Sequence, residues 1–147
     1  MLHRVIFAFC LASLAVVIAP ATLWAAVPVS VIKGWQNSAS DVLEITVVSV
    51  TEATPETRAM KGSPGGLQTK TSVILVAKVD AVHKSASGLQ PGAVIVVKYV
   101  VQRSTPRVPD GDYGLMLSKG ERARAYLKAV GHQTFELAGP VGCLEKL

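Results

Sequence analysis

The order of apolar and polar residues predicts β-strands along most of the chain. In most of the predicted strands apolar side chains alternate with polar ones and β-branched residues are frequent, which is the pattern of a strand with one buried face, whereas residues 93–102 contain an unbroken run of valine and isoleucine. Leu43, Ile45 and Val47 show it clearly, because they share one face of the first strand. The predicted strands cover residues 41–51, 69–82, 93–102, 122–129 and 134–138.

The stretch 121–129 allows two interpretations. Its polar side chains recur at a period of two, opposite a row of small or apolar residues, which fits a strand at the edge of a sheet. Its alanine, arginine and leucine content also favours a helix. We expect a strand, because Gly120 and Gly131 leave only a short segment and residues 134–138 need a partner. The polar row is Arg122, Arg124, Tyr126 and Lys128.

Proline and glycine predict two long, irregular connections. Residues 52–68 and 103–114 are rich in both residue types, which resist regular structure, and loops of this kind often carry function. Residues 27–40 have little to pack and are expected to form an extended arm or a first turn. Residues 41–147 are therefore expected to form the domain.

The first 26 residues have the pattern of a secretory signal peptide. Arg4 supplies a positive start, residues 5–19 are apolar, and Pro20 and small residues follow, as in a cleavable export signal. The apolar stretch is too short to span a bilayer comfortably, so no stable transmembrane segment is expected after cleavage. The mature protein is expected in the periplasm or outside the cell.

Length and charge describe an ordinary small domain. Removal of residues 1–26 leaves 121 residues, enough for one compact unit with a real core. Of the 15 Lys and Arg residues only Arg4 leaves with the signal, so 14 remain against 10 Asp and Glu, and the net charge is +4. This excess is small and scattered, and it gives no argument for nucleic acid as a partner.

Cys143 is the one cysteine that remains after export, because Cys10 lies in the predicted signal. An intrachain disulfide is then excluded, and packing alone must stabilise the fold. Cys143 is either a reactive thiol that pairs between chains or a small apolar filler beside Val141 and Leu144. We favour the filler.

Several short motifs follow one another between residues 41 and 138. A strand that ends at Lys84 is followed by a Pro91-Gly92 step into a valine-rich strand, then by a Gly120-Glu121 turn before Tyr126-Leu127. This order resembles that of the bacterial relatives of the netrin and tissue-inhibitor-of-metalloproteinase group. The resemblance implies an all-β fold, a small five-stranded OB-like barrel with Greek-key connections.

The resemblance implies a fold and no activity. The metalloproteinase inhibitors of that group act through a free N-terminal cysteine that reaches the zinc of the enzyme, and Val27 or a neighbour occupies that place here. The disulfides that brace their inhibitory edge are also missing. Inhibition by that mechanism is not expected, and fold and function need separate arguments.

The residue pattern predicts no catalytic centre, no metal site and no cofactor. His83, His132 and Cys143 lack ligand spacing, and a zinc site needs three or four ligands that converge. A cysteine and histidine pair for catalysis meets the same objection, because no motif surrounds the cysteine.

One segment resembles the start of a calcium loop. Asp110-Gly111-Asp112 places carboxylates at alternate positions, and Glu121 stands twelfth from Asp110. The apolar residues 115–117 favour a strand in between, so a turn explains the segment better. Weak structural calcium stays open as an alternative.

Basic residues of the third strand, the second loop and the last hairpin form a candidate partner-binding strip if these elements are neighbours. Export and the scarcity of aromatic side chains disfavour single-stranded nucleic acid, which OB-like barrels bind with aromatic platforms. The remaining hypotheses are an acidic protein, polysaccharide or lipid surface as the partner, or merely a solvated strand face. The strip is Lys98, Arg103, Arg107, Arg122, Arg124 and Lys128, with Lys61 in the first long loop as a further candidate.

We therefore expect a non-catalytic exported domain that binds an exported protein or an anionic surface polymer through residues 52–68 and 103–114. The alternative is an inhibitor or accessory subunit of an exported enzyme, which would insert a loop at residues 61–66 into the cleft of its partner. A hydrolase that uses Asp110, Asp112 and His132 is the least favoured hypothesis.

Overall fold

The computed structural model describes residues 27–107 and 113–147, where the chain forms one helix and seven strands. The predicted signal peptide and the segment Asp110-Gly111-Asp112 lie outside the described residues. No helix of this described part has the length and apolar character that a membrane crossing requires. The elements are α1 (Val29–Ser38), β1 (Asp41–Glu52), β2 (Glu56–Ala59), β3 (Leu67–Ser85), β4 (Val94–Thr105), β5 (Arg122–Gly131), β6 (Thr134–Leu137) and β7 (Leu144–Lys146).

Five of the strands form a ring in the order β1, β3, β4, β6, β5 and back to β1. Neighbours are antiparallel except β4 and β6, which are parallel. β2 pairs with β3 beyond the end of β1, and β7 pairs with β5. The predicted predominance of β-sheet is confirmed, and the five predicted strands are the five strands of the ring.

One face of every ring strand lies in the interior, as the alternation predicts. Burial of each large apolar side chain stabilises the fold by about 2 kcal/mol, so the alternation determines which way a strand faces. Three register shifts between β1 and β3 increase the local twist, which helps the sheet to curve into a ring. The largest buried apolar side chains are Phe135, Leu43, Ile45, Leu75, Ile95, Leu117 and Leu127.

β5 is a strand, so the helical alternative for residues 121–129 is wrong. It is not an edge strand either, because β1 pairs along one side of it and β6 and β7 along the other. Ala123 and Ala125 are fully buried, whereas Ala129, predicted to face inward, is exposed. Hydrogen bonds on both sides of the strand outweigh helix propensities, which differ by less than about 0.7 kcal/mol per residue.

The predicted N-terminal arm contains a helix, so the expectation of an extended arm is wrong. Ile32 and Trp35 of α1 lie against Gly142 and Gly139, where the Cβ of any other residue would overlap them. Gln36 Nε2 donates a hydrogen bond of 2.6 Å to the carbonyl of Gly142, 106 residues away in sequence. Contacts with the far end of the chain stabilise this helix, and the local sequence does not reveal them.

Regular structure also occurs where loops were predicted. Residues 52–68 include β2 and the start of β3, which form a hairpin closed by residues 60–66. β4 continues to Thr105, so Arg103 lies in a strand rather than in the second loop. Residues 115–117, predicted to form a strand, pair with no strand of the described residues, and Leu117 inserts into the core instead.

Candidate functional site

The outer face of β3 and β4 carries apolar side chains at positions where a solvated sheet would carry polar ones. Ile74 is 42% exposed and Val100 38%, and both point away from the core because the residues next to them fill it. Adjacent exposed apolar side chains of this kind mark surfaces that bind other molecules. The outward pairs are Ser72 with Val100, Ile74 with Lys98 and Val76 with Val96.

A groove with a volume of about 560 Å³ lies along this face. A space of this size suits a small ligand or a few side chains of a peptide. Aromatic, aliphatic and proline side chains predominate in its lining, together with one cation and one carboxylate. The side chains used in the argument below are Ile74, Lys98, Val100, Tyr113, Glu136 and Pro140.

Tyr113 lines the groove because the chain folds back beside β4. Gln102 and Tyr113 exchange backbone hydrogen bonds of 2.8 and 3.0 Å. The Arg103 guanidinium donates to the carbonyls of Gln102, Tyr113 and Gly114 at 2.8, 3.0 and 3.0 Å. Gly114 has a φ of +85° and passes so close to the carbonyl of Val100 that a Cβ there would overlap it. Arg103 and Gly114 thus hold one wall of the groove in place.

Charges of alternating sign lie beside the apolar part of the groove. In the strand register Glu136 of β6 lies between Lys98 of β4 and Lys128 of β5. The same row continues on the other side of Lys98 with Ile74 of β3 and Thr51 of β1. A ligand along this row would meet an apolar side chain, then a cation, then a carboxylate.

A different arrangement occupies the outer face of β1, β3 and β5, and we call it the arginine–carboxylate cluster. Its centre is Glu44, whose side chain is only 19% exposed. Arg124 donates to the Glu44 carboxylate at 3.1 Å, His83 Nε2 lies 2.9 Å from it, and Arg122 lies 3.5 Å from it. The members are Glu44, Asp80, His83, Arg122 and Arg124.

Asp80 completes the cluster and balances its second arginine. Its carboxylate accepts a 2.5 Å hydrogen bond from the Thr46 hydroxyl and lies 3.6 Å from Arg122 Nε. Hydrogen bonds from His83 and Arg124 hold the pKa of Glu44 below its usual value, so this carboxylate stays ionised. The charge of both arginines is therefore balanced within the chain.

The structure distributes the predicted basic strip over separate places. Arg122 and Arg124 belong to the arginine–carboxylate cluster, and Arg103 binds backbone carbonyls. Lys98 and Lys128 are separated by β6 and its carboxylate. The third strand and the last hairpin are neighbours through β4 and β6, which was the condition for a strip, but these residues do not form one continuous positive surface.

The two other candidates of the strip lie outside the groove. Arg107 lines a second cavity, of about 310 Å³, together with Arg103. Lys61 is exposed in the turn of the hairpin formed by β2 and β3. Their contribution to partner binding stays a prediction.

Cys143 lies in a small cluster with Ala39 and Ala138, next to Trp35 of α1. Its predicted burial is confirmed, and burial raises the pKa of its thiol, which disfavours the reactive thiolate. His83 belongs to the arginine–carboxylate cluster, and His132 lies in the turn between β5 and β6. Across residues 27–107 and 113–147, no three His, Cys, Asp or Glu side chains converge as a metal site would require.

Asp41, which the sequence did not single out, is a fully buried carboxylate at the start of β1. It accepts hydrogen bonds from the hydroxyls of Ser40 (2.7 Å), Ser85 (2.7 Å) and Ser87 (3.0 Å) and from the Ser87 amide (3.2 Å). Burial opposes ionisation, but these four hydrogen bonds outweigh it and lower the pKa of Asp41. Asp41 thus fastens the turn after β3 to the start of β1.

Sequence reasoning also missed the groove. Part of the signal was present, because Ile74 interrupts an otherwise polar row of the long strand and Val100 lies in the valine-rich third strand, and both line the groove. What was missing was the register that brings these residues side by side. Tyr113 and Pro140 gave no signal, because their positions depend on chain segments that meet only in the folded state.

Comparisons of the chain with family models, curated proteins and solved structures find no match in any of the three. The function must therefore be argued from the groove and the surfaces around it.

Proposed function

We propose that this chain is an exported, non-catalytic domain that binds an extended segment of another exported protein in the groove beside β3 and β4. Residues 1–26 would direct export, and residues 41–147 would carry the binding surface. The observation that carries the proposal is the groove, where half-exposed Ile74 and Val100 lie close to Lys98 and Glu136.

The fold that we propose is an OB-like barrel related to the netrin group. Support comes from the ring order: the last ring strand, β6, lies between β4 and β5, and β5 pairs with the first strand. Such non-sequential closure fits the Greek-key connections of a five-stranded OB-like barrel. The outer face of the second and third strands binds ligands in that architecture, and those strands are β3 and β4 here.

A protein segment fits this surface better than an anionic polymer does. A polyanion needs a continuous positive surface, whereas Arg122 and Arg124 are balanced by Glu44 and Asp80. The groove offers apolar contacts beside one charge of each sign, the mixture typical of surfaces that bind proteins. Salt bridges from Lys98 and Glu136 to opposite charges of the bound segment would set the direction in which the segment lies.

The test is affinity capture from the exported fraction of the source organism, with the full chain as bait, at moderate and at high salt. We expect one protein to remain bound at high salt, because apolar contacts are not screened. Ile74→Glu should lose that protein. The control is Val130→Glu, which changes an apolar residue of β5 that is 53% exposed and does not line the groove, and it should retain the protein.

Two results would contradict the proposal. One is retention of the same protein by Ile74→Glu at wild-type levels. The other is capture of heterogeneous material only, all of it released by salt, which would instead indicate an anionic polymer.

The alternative, an inhibitor or accessory subunit of an exported enzyme, is favoured by the hairpin of β2 and β3. The four residues of β2 are all exposed, and the hairpin extends past the end of β1. A hairpin with this exposure is able to enter the cleft of a partner. If deletion of residues 61–66 abolished binding while Ile74→Glu left it intact, the alternative would replace the groove proposal.

A further inference from the structure

The outer edge of β2 is open, because β2 pairs with β3 alone among the described strands. Paired and unpaired backbone groups alternate along an antiparallel strand. The amide of Met60 donates to the carbonyl of Gly66 at 2.9 Å, which fixes the phase of this alternation. The backbone groups of Thr57 and Ala59 therefore point outward, where another strand could pair with them.

The sequence of this edge, Pro55-Glu56-Thr57-Arg58-Ala59, is complementary to itself in antiparallel orientation. About a two-fold axis at Thr57, Glu56 lies opposite Arg58 of the second copy and Thr57 lies opposite its own equivalent. Ala59 lies opposite Pro55, whose carbonyl can accept from the Ala59 amide, whereas proline has no N–H to donate to the Ala59 carbonyl, so this pair forms one hydrogen bond instead of two. Opposite charges and threonine pairs both stabilise antiparallel neighbours.

The charges also reject other registers. An axis at Glu56 would place this residue opposite its own equivalent, and an axis at Arg58 would do the same for the arginine. Like charges directly opposite destabilise a strand pair. A short, charged edge strand disfavours pairing with most other strands. The alternating charges of this edge still allow it to pair with an antiparallel second copy of itself.

Neighbouring residues of the hairpin extend the complementary surface. The hydroxyls of Thr57 and Thr69 lie 3.1 Å apart, so pairing would form a row of four threonines across four strands. Leu67 lies opposite Ala59 in register and is 46% exposed. Pro55 of the second copy would approach both residues and cover apolar surface.

We propose that two copies of this chain dimerise by antiparallel pairing of their β2 edges about a two-fold axis at Thr57. The contact is isologous, as in most homodimers, and it closes after two copies. The paired edge does not include the residues that line the groove, so each copy keeps its groove.

The test is sedimentation velocity of the full chain over a range of concentrations. We expect a concentration-dependent dimer. Glu56→Arg and Arg58→Glu should each weaken dimerisation by about tenfold or more, because each places like charges opposite each other twice. The double variant Glu56→Arg/Arg58→Glu restores opposite charges and should restore the dimer. Lys119→Glu is the control, since it changes the charge of an exposed turn residue outside the edge.

Thr57→Pro gives an independent measurement. It removes an amide that points away from β3, so the hairpin keeps its own backbone hydrogen bonds and loses only the exposed contact between the Thr57 and Thr69 hydroxyls, while the dimer loses two hydrogen bonds across the axis. We expect a folded monomer with a melting temperature close to that of the wild type. A wild-type chain that stays monomeric at every concentration, a dimer that the single charge changes leave intact, or a double variant that stays as weak as the single ones would overturn the proposal. If the monomeric variants still capture the partner, the loss of the dimer is independent of partner binding in the groove.

Discussion

Two outer faces of the same ring differ in whether their surface side chains are paired within the chain. On β1, β3 and β5 the charges are paired with one another, with Glu44 between two arginines and a histidine. On β3 and β4 the apolar Ile74 and Val100 are half exposed next to a groove. Charged groups that pair within the chain stabilise the fold. Adjacent exposed apolar groups remain in contact with water, and a partner that buries them would gain binding free energy.

The comparison also shows which signal is the more informative. Basic residues are conspicuous in a sequence, and they suggested a strip for binding. In the folded chain Arg122, Arg124 and Arg103 already have acceptors. The less conspicuous interruption of a polar row by Ile74 lies at the groove in which we propose that the partner binds.

The largest effect on stability is expected from Asp41, a buried carboxylate of β1 that, like Glu44, is hydrogen-bonded within the chain. Asp41→Ala leaves the Ser85 and Ser87 hydroxyls and the Ser87 amide without this acceptor, while Ser40 keeps the Leu127 carbonyl, and the free energy of unfolding should fall by about 3 kcal/mol. Urea denaturation measures this change. Asp41→Asn keeps one acceptor oxygen and should cost less, and equal costs for the two variants would contradict the role given to the hydrogen bonds.

The next effect separates binding from stability. Val100→Asp places a charge on the apolar side of the groove, and it should weaken partner binding by about 2 kcal/mol, or about thirtyfold. The residue is exposed, so the free energy of unfolding should change by less than about 0.5 kcal/mol. Titration calorimetry and urea denaturation on the same preparation measure both quantities. A lower free energy of unfolding with unchanged affinity would contradict the role given to Val100 in binding.

Glu44→Gln should produce the opposite pattern. The variant leaves Arg122, Arg124 and His83 close together without their shared carboxylate, so the melting temperature should fall. Binding in the groove should stay at the wild-type level, since Glu44 does not line it. Reduced affinity together with an unchanged melting temperature would show that the cluster, and not the groove, contacts the partner.

The smallest effect is a loss of stability in acid. Asp41 and Glu44 have folded-state pKa values below the ordinary 3.8 and 4.5. Their stabilisation is therefore complete above those ordinary values and is lost as the pH falls through the lower folded-state values. Melting temperatures between about pH 7 and about pH 2 should fall below about pH 4.5. Asp41→Asn should fall less steeply than wild type, and parallel curves would exclude a contribution from Asp41.

Much of the fold was predictable, and particular residues show why. Leu43, Ile45 and Val47 alternate with polar residues, and this local pattern is enough to identify β1 and its inward face. The helix α1 was not predictable, because Gly139 and Gly142 accept Trp35 and Ile32 from the other end of the chain. β2 was hidden in a stretch rich in proline and glycine, where pairing with β3 outweighs weak local preference.

For the candidate site, the strand residues of the groove could be predicted in part from the sequence, and the residues contributed by the connecting segments could not. Ile74, which lines the groove, was visible as an apolar residue in a polar row, as was Val76 farther along the same face, although their neighbours across the strands were unknown. Tyr113 reaches the groove through its backbone bonds to Gln102 and through Arg103, a residue that the sequence assigned to a loop. Every residue has a main-chain carbonyl, so a hydrogen bond to one cannot be predicted from the residue types in the sequence.

By itself the sequence determined the strands of the ring and, where apolar and polar residues alternate as in β1, which residues face the core, because a period of two depends only on neighbouring residues. The tertiary structure alone decided which strands are neighbours and which charges meet. Glu44 and Arg124, 80 residues apart, form a pair only after β5 has closed the ring against β1. Contacts of such separation arise from the packing of the whole chain, and they decide which charged residues stabilise the fold and which surface is left for a partner.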